Sequence, residues 1–416
     1  MRCIDLFAGA GGLSEGFKRA GFEVLAHVEM DPFAALTLKT REAYYYLKEN
    51  NMLDIYRSYL LGNITRDNLY ASIPENILKK IICECISDET IESIFNYIDN
   101  LLVQSNENEV DVLIGGPPCQ AYSTAGRGRL PDKMQKDERN YLYLQYIKFL
   151  ERYQPKMFVF ENVVGIFSAQ GGKVLVDMKE KIDSAGYKID VQVINARNIG
   201  VLQNRKRVII HGVRKDIAIN LRDICFSDDH EKFNLRELWS DLPRLQAGES
   251  INGEVYTSGP NTCCQLLDLR DAHCDILTWH IARTHNEQDL KIYKLCVDTW
   301  NKEHKKLKYN ELPDELKSHK NHETYLDRFN VLDYDGVAHT LVAHIAKDGH
   351  YYIHPDIDQN RSISVREAAR IQSFPDNYFF EGSRTAAFTQ IGNAVPPVMA
   401  KRLAEKVKCM LEGELL

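Results

Sequence analysis

The stretch that decides the fold is Cys3-Ile4-Asp5-Leu6-Phe7-Ala8-Gly9-Ala10-Gly11-Gly12, close to the start of the sequence. An apolar run followed by clustered glycines predicts a buried strand that ends in a tight turn before a helix. A helical stretch ends at Gly21, and Glu23–Glu29 then has the composition of a second strand. This strand–helix–strand order is typical of a parallel sheet in an α/β protein.

Further along, three apolar runs have the length and the flanking turn residues of buried strands. They are Val110–Ile114, Met157–Phe160 and Val208–Val213. Residues 66–104 instead show apolar positions at three- and four-residue spacings, which predicts mostly helical structure. Those positions include Leu78, Ile81, Ile82 and Ile86.

The regular alternation of strands and helices stops near residue 214. Helix and turn signals return from Ser362 and end in a long helical run, Val398–Leu411. We therefore predict two domains, the second inserted into the first, with the chain divided at 1–214, 215–332 and 333–416.

Composition limits the class of protein. The 416 residues are 44% hydrophobic and 27% charged, which is ordinary for a globular enzyme. No apolar run approaches the roughly 20 residues that span a bilayer, and the ten cysteines form no disulfide framework, so we expect an intracellular protein. A net charge of -7 requires that any nucleic acid bind to a local basic face.

The glycine cluster can bring a nucleotide-like ligand close to the backbone, with a helix N-terminus beyond it. A purely structural turn, or a dehydrogenase, would have much the same sequence. Glu29 and Asp31 follow the second strand, where a carboxylate can hold ribose hydroxyls. Together they favour a nucleoside-containing ligand.

Gly115-Gly116-Pro117-Pro118-Cys119-Gln120 directly follows a predicted strand. Two glycines and two prolines form a rigid loop at the carboxyl edge of the sheet, where α/β folds bind their ligands. Cys119 is therefore presented to a site and is a candidate nucleophile, whereas the other nine cysteines are most simply small buried hydrophobes.

Two more motifs belong to the same edge. Phe160-Glu161-Asn162-Val163 ends a predicted strand and supplies a carboxylic acid, the group that assists thiol attack on an electron-poor ring. Gln203-Asn204-Arg205-Lys206-Arg207 enters a strand with its arginines at alternate positions, so both point to one side. The alternative for the first motif is an ordinary turn, and the alternative for the second is a solvated basic start of a strand.

In this order the motifs resemble those of DNA cytosine-5 methyltransferases of the bacterial restriction–modification type. The matching segments are DLFAGAGG, GGPPCQ, ENV, QNRKRV, REAARIQSFPDNY (Arg366–Tyr378) and QIGNAVPP (Gln390–Pro397). The resemblance implies a Rossmann-like sheet that binds S-adenosyl-L-methionine (AdoMet), a catalytic domain formed by 1–214 and 333–416, and a smaller target recognition domain at 215–332. Double-stranded DNA is the implied substrate, with its cytosine flipped out of the helix.

The resemblance also assigns roles to individual residues. Cys119 attacks carbon 6 of cytosine, Glu161 engages ring nitrogen 3, and Arg205 and Arg207 position the base and support the loop. The implied AdoMet site consists of Phe7, Ala8, Gly9, Gly12, Glu29, Met30, Asn63, Ile64, Pro118, Leu142, Asn393, Ala394 and Val395. The predicted DNA contacts are Gln120, Ser123, Gln203, Lys302, Lys305 and Lys306.

The sequence departs from the family pattern at three positions. Met30 stands where many members have an aromatic residue, and Leu202 stands where a proline is frequent. Gly62-Asn63-Ile64 is the best candidate for the Gly-Asp-Ile that recognises adenine in many members. None of these changes touches the predicted catalytic residues.

Other features of the inserted region are less specific. Lysines at helical spacing are as often a solvated face as a phosphate contact. Cys263, Cys264, His273, Cys274 and His280 match no standard zinc-binding spacing, so we predict no metal site.

Two alternative functions remain open from sequence. A tRNA cytosine-5 methyltransferase would keep the nucleophile and the ENV motif, but the Cys-Phe-Thr tripeptide of those enzymes is missing. A non-catalytic DNA-binding relative would be expected to have lost Cys119, Glu161 or Arg207. We expect a cytoplasmic, nucleoid-associated monomer that is linked functionally, not physically, to a restriction endonuclease.

Overall fold

A computed structural model describes residues 1–104, 109–117, 142–219, 221, 224, 226, 232–271, 273–317 and 326–413. The strands of the first half are β1 (Arg2–Leu6), β2 (Glu23–Glu29), β3 (Ile81–Cys83), β4 (Val112–Gly115), β5 (Met157–Val163), β6 (Tyr187–Asn195), β7 (Gln203–Asn204) and β8 (Lys206–Arg214). The short strands of the second half are β9 (Ser250–Ile251), β10 (Glu254–Val255), β11 (Ile276–Leu277), β12 (His280–Ile281) and β13 (Ala338–His339).

Within the described residues, seven strands form one sheet in the order β3-β2-β1-β4-β5-β8-β6. Strands β1 to β5 run parallel, as the opening sequence predicted. Strand β8 lies between β5 and β6 and runs antiparallel to both. The sheet confirms the α/β fold class, and the reversed strand brings the start of β8 to the edge where β5 ends.

Helices cover the sheet and fill the second half. The helices of the first half are α1 (Gly12–Arg19), α2 (Pro32–Glu49), α3 (Leu53–Leu60), α4 (Arg66–Ala71), α5 (Glu75–Leu78), α6 (Ile91–Gln104), α7 (Leu142–Tyr153) and α8 (Lys173–Ser184). The helices of the second half are α9 (Leu235–Leu238), α10 (Thr262–Leu266), α11 (Glu287–Glu303), α12 (Val365–Ile371), α13 (Arg384–Asn393) and α14 (Pro397–Glu412). No helix among the described residues is long and apolar enough to cross a membrane.

Alternation along the strands separates the two faces of the sheet. Met157 and Val159 of β5 pack into one core together with α1 and α14. Phe158 and Phe160 pack into the opposite core with α6, α7 and α8. Because both faces are covered by helices, the sheet is buried and its edges are left to carry polar groups.

Two local predictions require correction. The helical interpretation of 66–104 is wrong at Ile81–Cys83, which forms β3 and pairs with β2. Its three residues are too few for periodicity to separate a strand from a helix. The edge strand β6 was not predicted, although Tyr187, Ile189, Val191 and Val193 alternate along it.

The second half has its own core, which joins the predicted inserted region to the segment after it. Leu238, Trp239 and Trp279 pack with Leu332, Phe374 and Phe388 in one cluster. A separate small cluster surrounds α11, with Tyr293 and Val297 fully buried. The domain boundaries at 215 and 332 therefore remain predictions.

Candidate active site at the carboxyl edge of the sheet

The glycine-rich turn opens a cradle where β1 ends. Phe7 and Gly9 have φ values of 54° and 55°, in the left-handed region. The Ala8 N–H donates to the Val28 carbonyl at 3.1 Å, which ties the turn to β2. A Cβ added to Gly9 would meet no atom of the described residues within 4 Å, so these residues leave space above the turn.

Glu29 lies beside this turn at the end of β2. It is 9% exposed, and its two carboxylate oxygens accept hydrogen bonds from the N–H groups of Gly9 and Asp31, both at 2.7 Å. Burial raises the pKa of the Glu29 carboxyl. A carboxylate has about four acceptor positions, so two remain for ligand hydroxyls.

Asp31 has a structural function, and the suggested ribose contact of its carboxylate remains a prediction. Its Oδ1 accepts from the N–H groups of Phe33 and Ala34, both at 2.9 Å, and so caps the N-terminus of α2. Capping satisfies N–H groups that the helix itself leaves unpaired. Glu29 therefore remains the candidate carboxylate, next to Met30, whose side chain is 63% exposed.

Asn63 and Ile64 do not lie where the sequence analysis placed them. They follow α3, and Ile64 packs against the core of α2, α3 and α4. The segment that follows the strand next to β2 begins at Glu84, whose N–H donates to the Glu29 carbonyl at 3.1 Å. The adenine contact predicted for Asn63 and Ile64 is thus corrected, because the sheet brings residues after β3, rather than residues after α3, to this edge.

The Gly392–Val395 turn (residues 392–395) returns to the cradle from the end of the chain. A Cβ on Gly12 would lie 2.1 Å from the Val395 carbonyl oxygen, so only glycine allows this approach. Ala394 and Val395 are buried, whereas Asn393 is exposed. Leu142 begins α7 and is half-buried. The glycine turn, the Glu29 carboxylate and this second turn together fit a nucleoside-containing cofactor.

The catalytic acid predicted from sequence has a partner. The Glu161 Oε1 lies 2.8 Å from the Arg207 Nε, and the two side chains are only 12% and 10% exposed. The antiparallel register of β5 and β8, which sets Val163 opposite Arg207, brings them together. A guanidinium beside a carboxylate attracts it electrostatically and so restricts the orientation of the carboxylate.

Glu161 also contacts the start of the cysteine loop. A Cβ on Gly116 would lie 3.1 Å from the Glu161 Oε2, so the carboxylate sits directly against the loop backbone. Pro118, Cys119, Gln120 and Ser123 lie outside the described residues. Gly116 is three positions before Cys119 in the chain.

Arg205 is placed differently from Arg207. It is 1% exposed, and its Nη1 and Nη2 donate to the carbonyls of Leu341 at 2.6 Å and Ala394 at 2.9 Å. Burial, reinforced by nearby Arg207, lowers the pKa of its guanidinium well below the usual value. Arg205 therefore supports the turn that closes the cradle, and does not face a substrate base.

Gln203 is fully buried, which contradicts a contact with DNA. Its Nε2 donates to the Gln372 Oε1 at 2.6 Å, and its Oε1 accepts from the Leu341 N–H at 2.8 Å. The amide is held by protein groups because β7 pairs with β13 and is covered. The predicted DNA contact of Gln203 is therefore wrong, and its side chain has a structural role inside the protein.

The predicted phosphate contacts lie on the surface near α11. Lys302 pairs with Asp298 at 2.8 Å and Lys305 with Glu311 at 3.0 Å, and Lys306 is exposed. The two ion pairs agree with a solvated face, so phosphate binding remains a prediction.

The cysteines of the inserted region are packed as hydrophobes. Cys263 and Cys264 are buried in the core of the second half. His280 binds the Ser364 hydroxyl at 2.9 Å and the Pro243 carbonyl at 2.8 Å. Across the described ranges, no three His, Cys, Asp or Glu side chains are arranged to hold a metal ion.

Sequence reasoning assigned no role to three residues of the Arg366–Tyr378 motif that contact the site. The Tyr378 hydroxyl donates to the Ala10 carbonyl in the glycine-rich turn. Gln372 and Ser373 contact the Ala394 carbonyl and the Val398 N–H. Their membership of a recognised motif was the signal available, but it did not say what they touch.

Comparison with known proteins identifies the family. Residues 1–74 and 75–409 match the C-5 cytosine-specific DNA methylase family. The chain is 42% identical to the Type II methyltransferase M.Bpa9945I of Bacillus paralicheniformis, over 99% of this chain and 100% of that protein. It is 31% identical to the Type II methyltransferase M.AgeI of Thalassovita gelatinovora, over 98% of this chain and 99% of that protein.

A solved structure agrees in fold. A prophage-encoded E. coli protein, assigned as a DNA modification methyltransferase, superposes with a TM-score of 0.64 at 22% identity, over 99% of both chains. This chain therefore belongs to the C-5 cytosine-specific DNA methylase family, and it is a DNA cytosine-5 methyltransferase that uses AdoMet as its methyl donor.

Proposed function

We propose that Cys119 is the nucleophile and Glu161 the acid of this methyltransferase, acting on a cytosine flipped out of double-stranded DNA. The observation that carries the proposal is the Glu161–Arg207 ion pair against the Gly116 backbone. The carboxylate of Glu161 thus lies beside Gly116, three residues before Cys119 in the chain. Extraction of the base costs a few kcal/mol and exposes the ring to the thiolate.

The chemistry divides one difficult step into easier ones. The Cys119 sulfur bonds to carbon 6 of the ring while Glu161 hydrogen-bonds or protonates nitrogen 3. Carbon 5 then carries the electron density that accepts the methyl group, which bound AdoMet supplies. A water molecule takes the carbon 5 proton, the sulfur leaves carbon 6, and any proton on nitrogen 3 returns to Glu161. The aromatic ring and the free thiolate are thereby regenerated.

Each group at the edge has its own part. Arg207 holds Glu161 through the 2.8 Å contact, so the acid faces the ring in one orientation. Glu29, with its orientation fixed by two backbone N–H groups, binds the ribose hydroxyls of the cofactor. The Gly392–Val395 turn and the backbone of residues 7–12 bound the cofactor cradle on its two sides. Leu142 and Met30 supply apolar contacts there.

A restriction–modification role follows from the relatives, which are named as Type II methyltransferases. In this role residues 215–332 select the DNA sequence. DNA methylated by this enzyme should then resist an endonuclease that cuts the same site. A monomeric state and an association with the nucleoid belong to the same proposal.

The test is transfer of labelled methyl from AdoMet to plasmid DNA and to total tRNA, with the wild type and Cys119→Ala compared. We expect DNA to be labelled by the wild type and not by the variant. Cys409→Ala is the matched control, since that thiol lies in α14, away from the carboxyl edge, and its loss should leave transfer unchanged. Transfer by Cys119→Ala would refute the nucleophile, and label in tRNA alone would favour the RNA enzyme.

A further inference from the structure

Two buried residues that follow α12 hold the Gly392–Val395 turn from behind. Gln372 is fully buried and is the C-cap residue directly after α12, and Ser373 is 3% exposed. Both make hydrogen bonds to the chain between Ala394 and Val398.

Gln372 lies in the middle of a relay of amide groups. Its Nε2 donates to the Ala394 carbonyl at 2.5 Å, and its Oε1 accepts from the Gln203 Nε2 at 2.6 Å. The Gln203 Oε1 in turn accepts from the Leu341 N–H at 2.8 Å. A buried carbonyl or amide that loses such a partner is costly to leave unpaired, so the relay fixes the position of Ala394.

Ser373 acts on the other side of the turn. Its Oγ accepts from the Val398 N–H at 3.1 Å, in the first turn of α14. The residue before that helix, Pro396, has no side-chain oxygen, so Ser373 provides from a distance the cap that the helix lacks. Ser373 has a φ of 63°, a backbone conformation that glycine adopts most easily.

The element that carries this pair is itself immobilised. Arg370 of α12 binds Asp241 at 2.5 Å, and Arg366 binds Thr278 at 2.8 Å. Asp241 and Thr278 both belong to the predicted inserted region. Glu367 accepts two hydrogen bonds from Arg361, each at 2.7 Å. Gln372 and Ser373 therefore directly follow a helix that several buried hydrogen bonds anchor to the rest of the protein.

We propose that Gln372 and Ser373 are positioning residues for the cofactor. They hold the Gly392–Val395 turn at the distance from the glycine-rich turn that AdoMet requires. They act through the Ala394 carbonyl and the N-terminus of α14. This inference rests on the proposed contact of that turn with the cofactor. It predicts that their loss weakens cofactor binding and leaves the chemistry at Glu161 intact.

The test compares Gln372→Met and Ser373→Gly with the wild type and with Tyr187→Phe. Tyr187 is a matched control, because it is also buried and donates a hydrogen bond to a backbone carbonyl, that of Pro155, at the opposite end of the sheet from the turn. The first readout is the Kd of S-adenosyl-homocysteine, measured by calorimetry without DNA. The second is the separation of KM for AdoMet from kcat and from KM for DNA.

For Gln372→Met we expect the Kd and the KM for AdoMet to rise about tenfold, with kcat and KM for DNA within about twofold of wild type. Ser373→Gly should raise the Kd severalfold, and it should fold because glycine accepts a φ of 63°. That second variant decides the matter if Gln372→Met does not fold. Tyr187→Phe should leave the Kd unchanged.

An unchanged Kd in a folded Gln372→Met protein, or in Ser373→Gly if the first variant does not fold, would overturn the proposal. An equal rise in Tyr187→Phe would also overturn it, since the effect would then be general destabilisation. Calorimetry needs no methyl transfer, so this result is independent of whether Cys119 is the nucleophile.

Discussion

The protein uses the same two groups, a guanidinium and a carboxylate, in two regions with different outcomes. At the sheet edge, Glu161 and Arg207 form a pair in which each side chain keeps about a tenth of its surface exposed. In the second half, Arg370 binds both Asp376 and Asp241, and these side chains are 0% to 3% exposed. The first pair lies beside Gly116, at the start of the cysteine loop, whereas the second is sealed inside the protein.

The difference lies in what satisfies each carboxylate. The oxygens of Asp376 accept from the Arg370 guanidinium at 3.0 and 2.6 Å, and Tyr256 adds a further hydrogen bond. Glu161 gives one oxygen to Arg207 and directs the other toward Gly116. A carboxylate that keeps one oxygen toward a cleft can serve a ligand, whereas a carboxylate enclosed by its own donors can only stabilise the fold. Three experiments test this distinction.

The largest effect is expected for Glu161→Gln. The amide keeps the size of the side chain but cannot act as an acid, so kcat should fall about 10²- to 10⁴-fold. The midpoint of urea unfolding should change little, because the site is partly open. Exposed Glu151→Gln is the control and should keep full activity. A Glu161→Gln enzyme with wild-type kcat would remove this carboxylate from the chemistry.

The next effect is expected for Arg370→Met. Removal of the guanidinium leaves Asp376 buried without its main partner, although Arg270 still binds Asp241 at 2.6 Å. This should cost roughly 3–5 kcal/mol of unfolding free energy. Urea unfolding measures this loss. Arg236→Met breaks an exposed pair with Asp335, at 2.8 Å with side chains 56% and 68% exposed, and should cost less than about 1 kcal/mol. Equal losses in the two variants would show that sealing the pair adds nothing.

The smallest effect concerns pH. Burial alone would raise the pKa of the Asp376 carboxyl, but Arg370 and Arg366 lower it to about 2. The folded pKa is thus below the unfolded value of about 3.9, so this group stabilises the fold above pH 4 and the contribution disappears as the pH falls toward 2. The loss should be roughly 2–3 kcal/mol between those limits.

Comparison of unfolding at pH 5 and pH 3 tests this prediction. Asp376→Asn should be less stable than the wild type at pH 5 and should lose less stability on acidification. If both proteins lose the same free energy, the acid-sensitive groups lie elsewhere, for example at Glu15, whose carboxyl also has a pKa of about 2.

Much of the sheet could be predicted because its signals are local. The β2 bounds agree at Glu23–Glu29, and β5 and β8 were each found within a few residues of their ends. Strand β3 escaped prediction because three apolar residues between helices carry no period of their own. Its omission also explains the misplaced adenine contact, since Asn63 was chosen without knowing which segment follows the strand beside β2.

The candidate site was also predicted only in part. The motifs identified Glu161, Arg205 and Arg207 as site residues, but both arginines were predicted to have the same role because they occupy alternate positions on a strand. In the structure Arg207 pairs with Glu161, whereas Arg205 is buried against the carbonyls of Leu341 and Ala394. Gln203 was placed on DNA and is instead interior.

The sequence by itself determined the fold class, the family and the identity of the reactive groups, because strand periodicity and motif order depend on residues close together in the chain. Tertiary structure alone decided which of those groups meet. Glu161 reaches Arg207 because β8 runs antiparallel beside β5, and Gln372 reaches Ala394 because α12 packs behind the returning turn. Contacts between distant segments depend on strand order, register and burial, which no local pattern encodes.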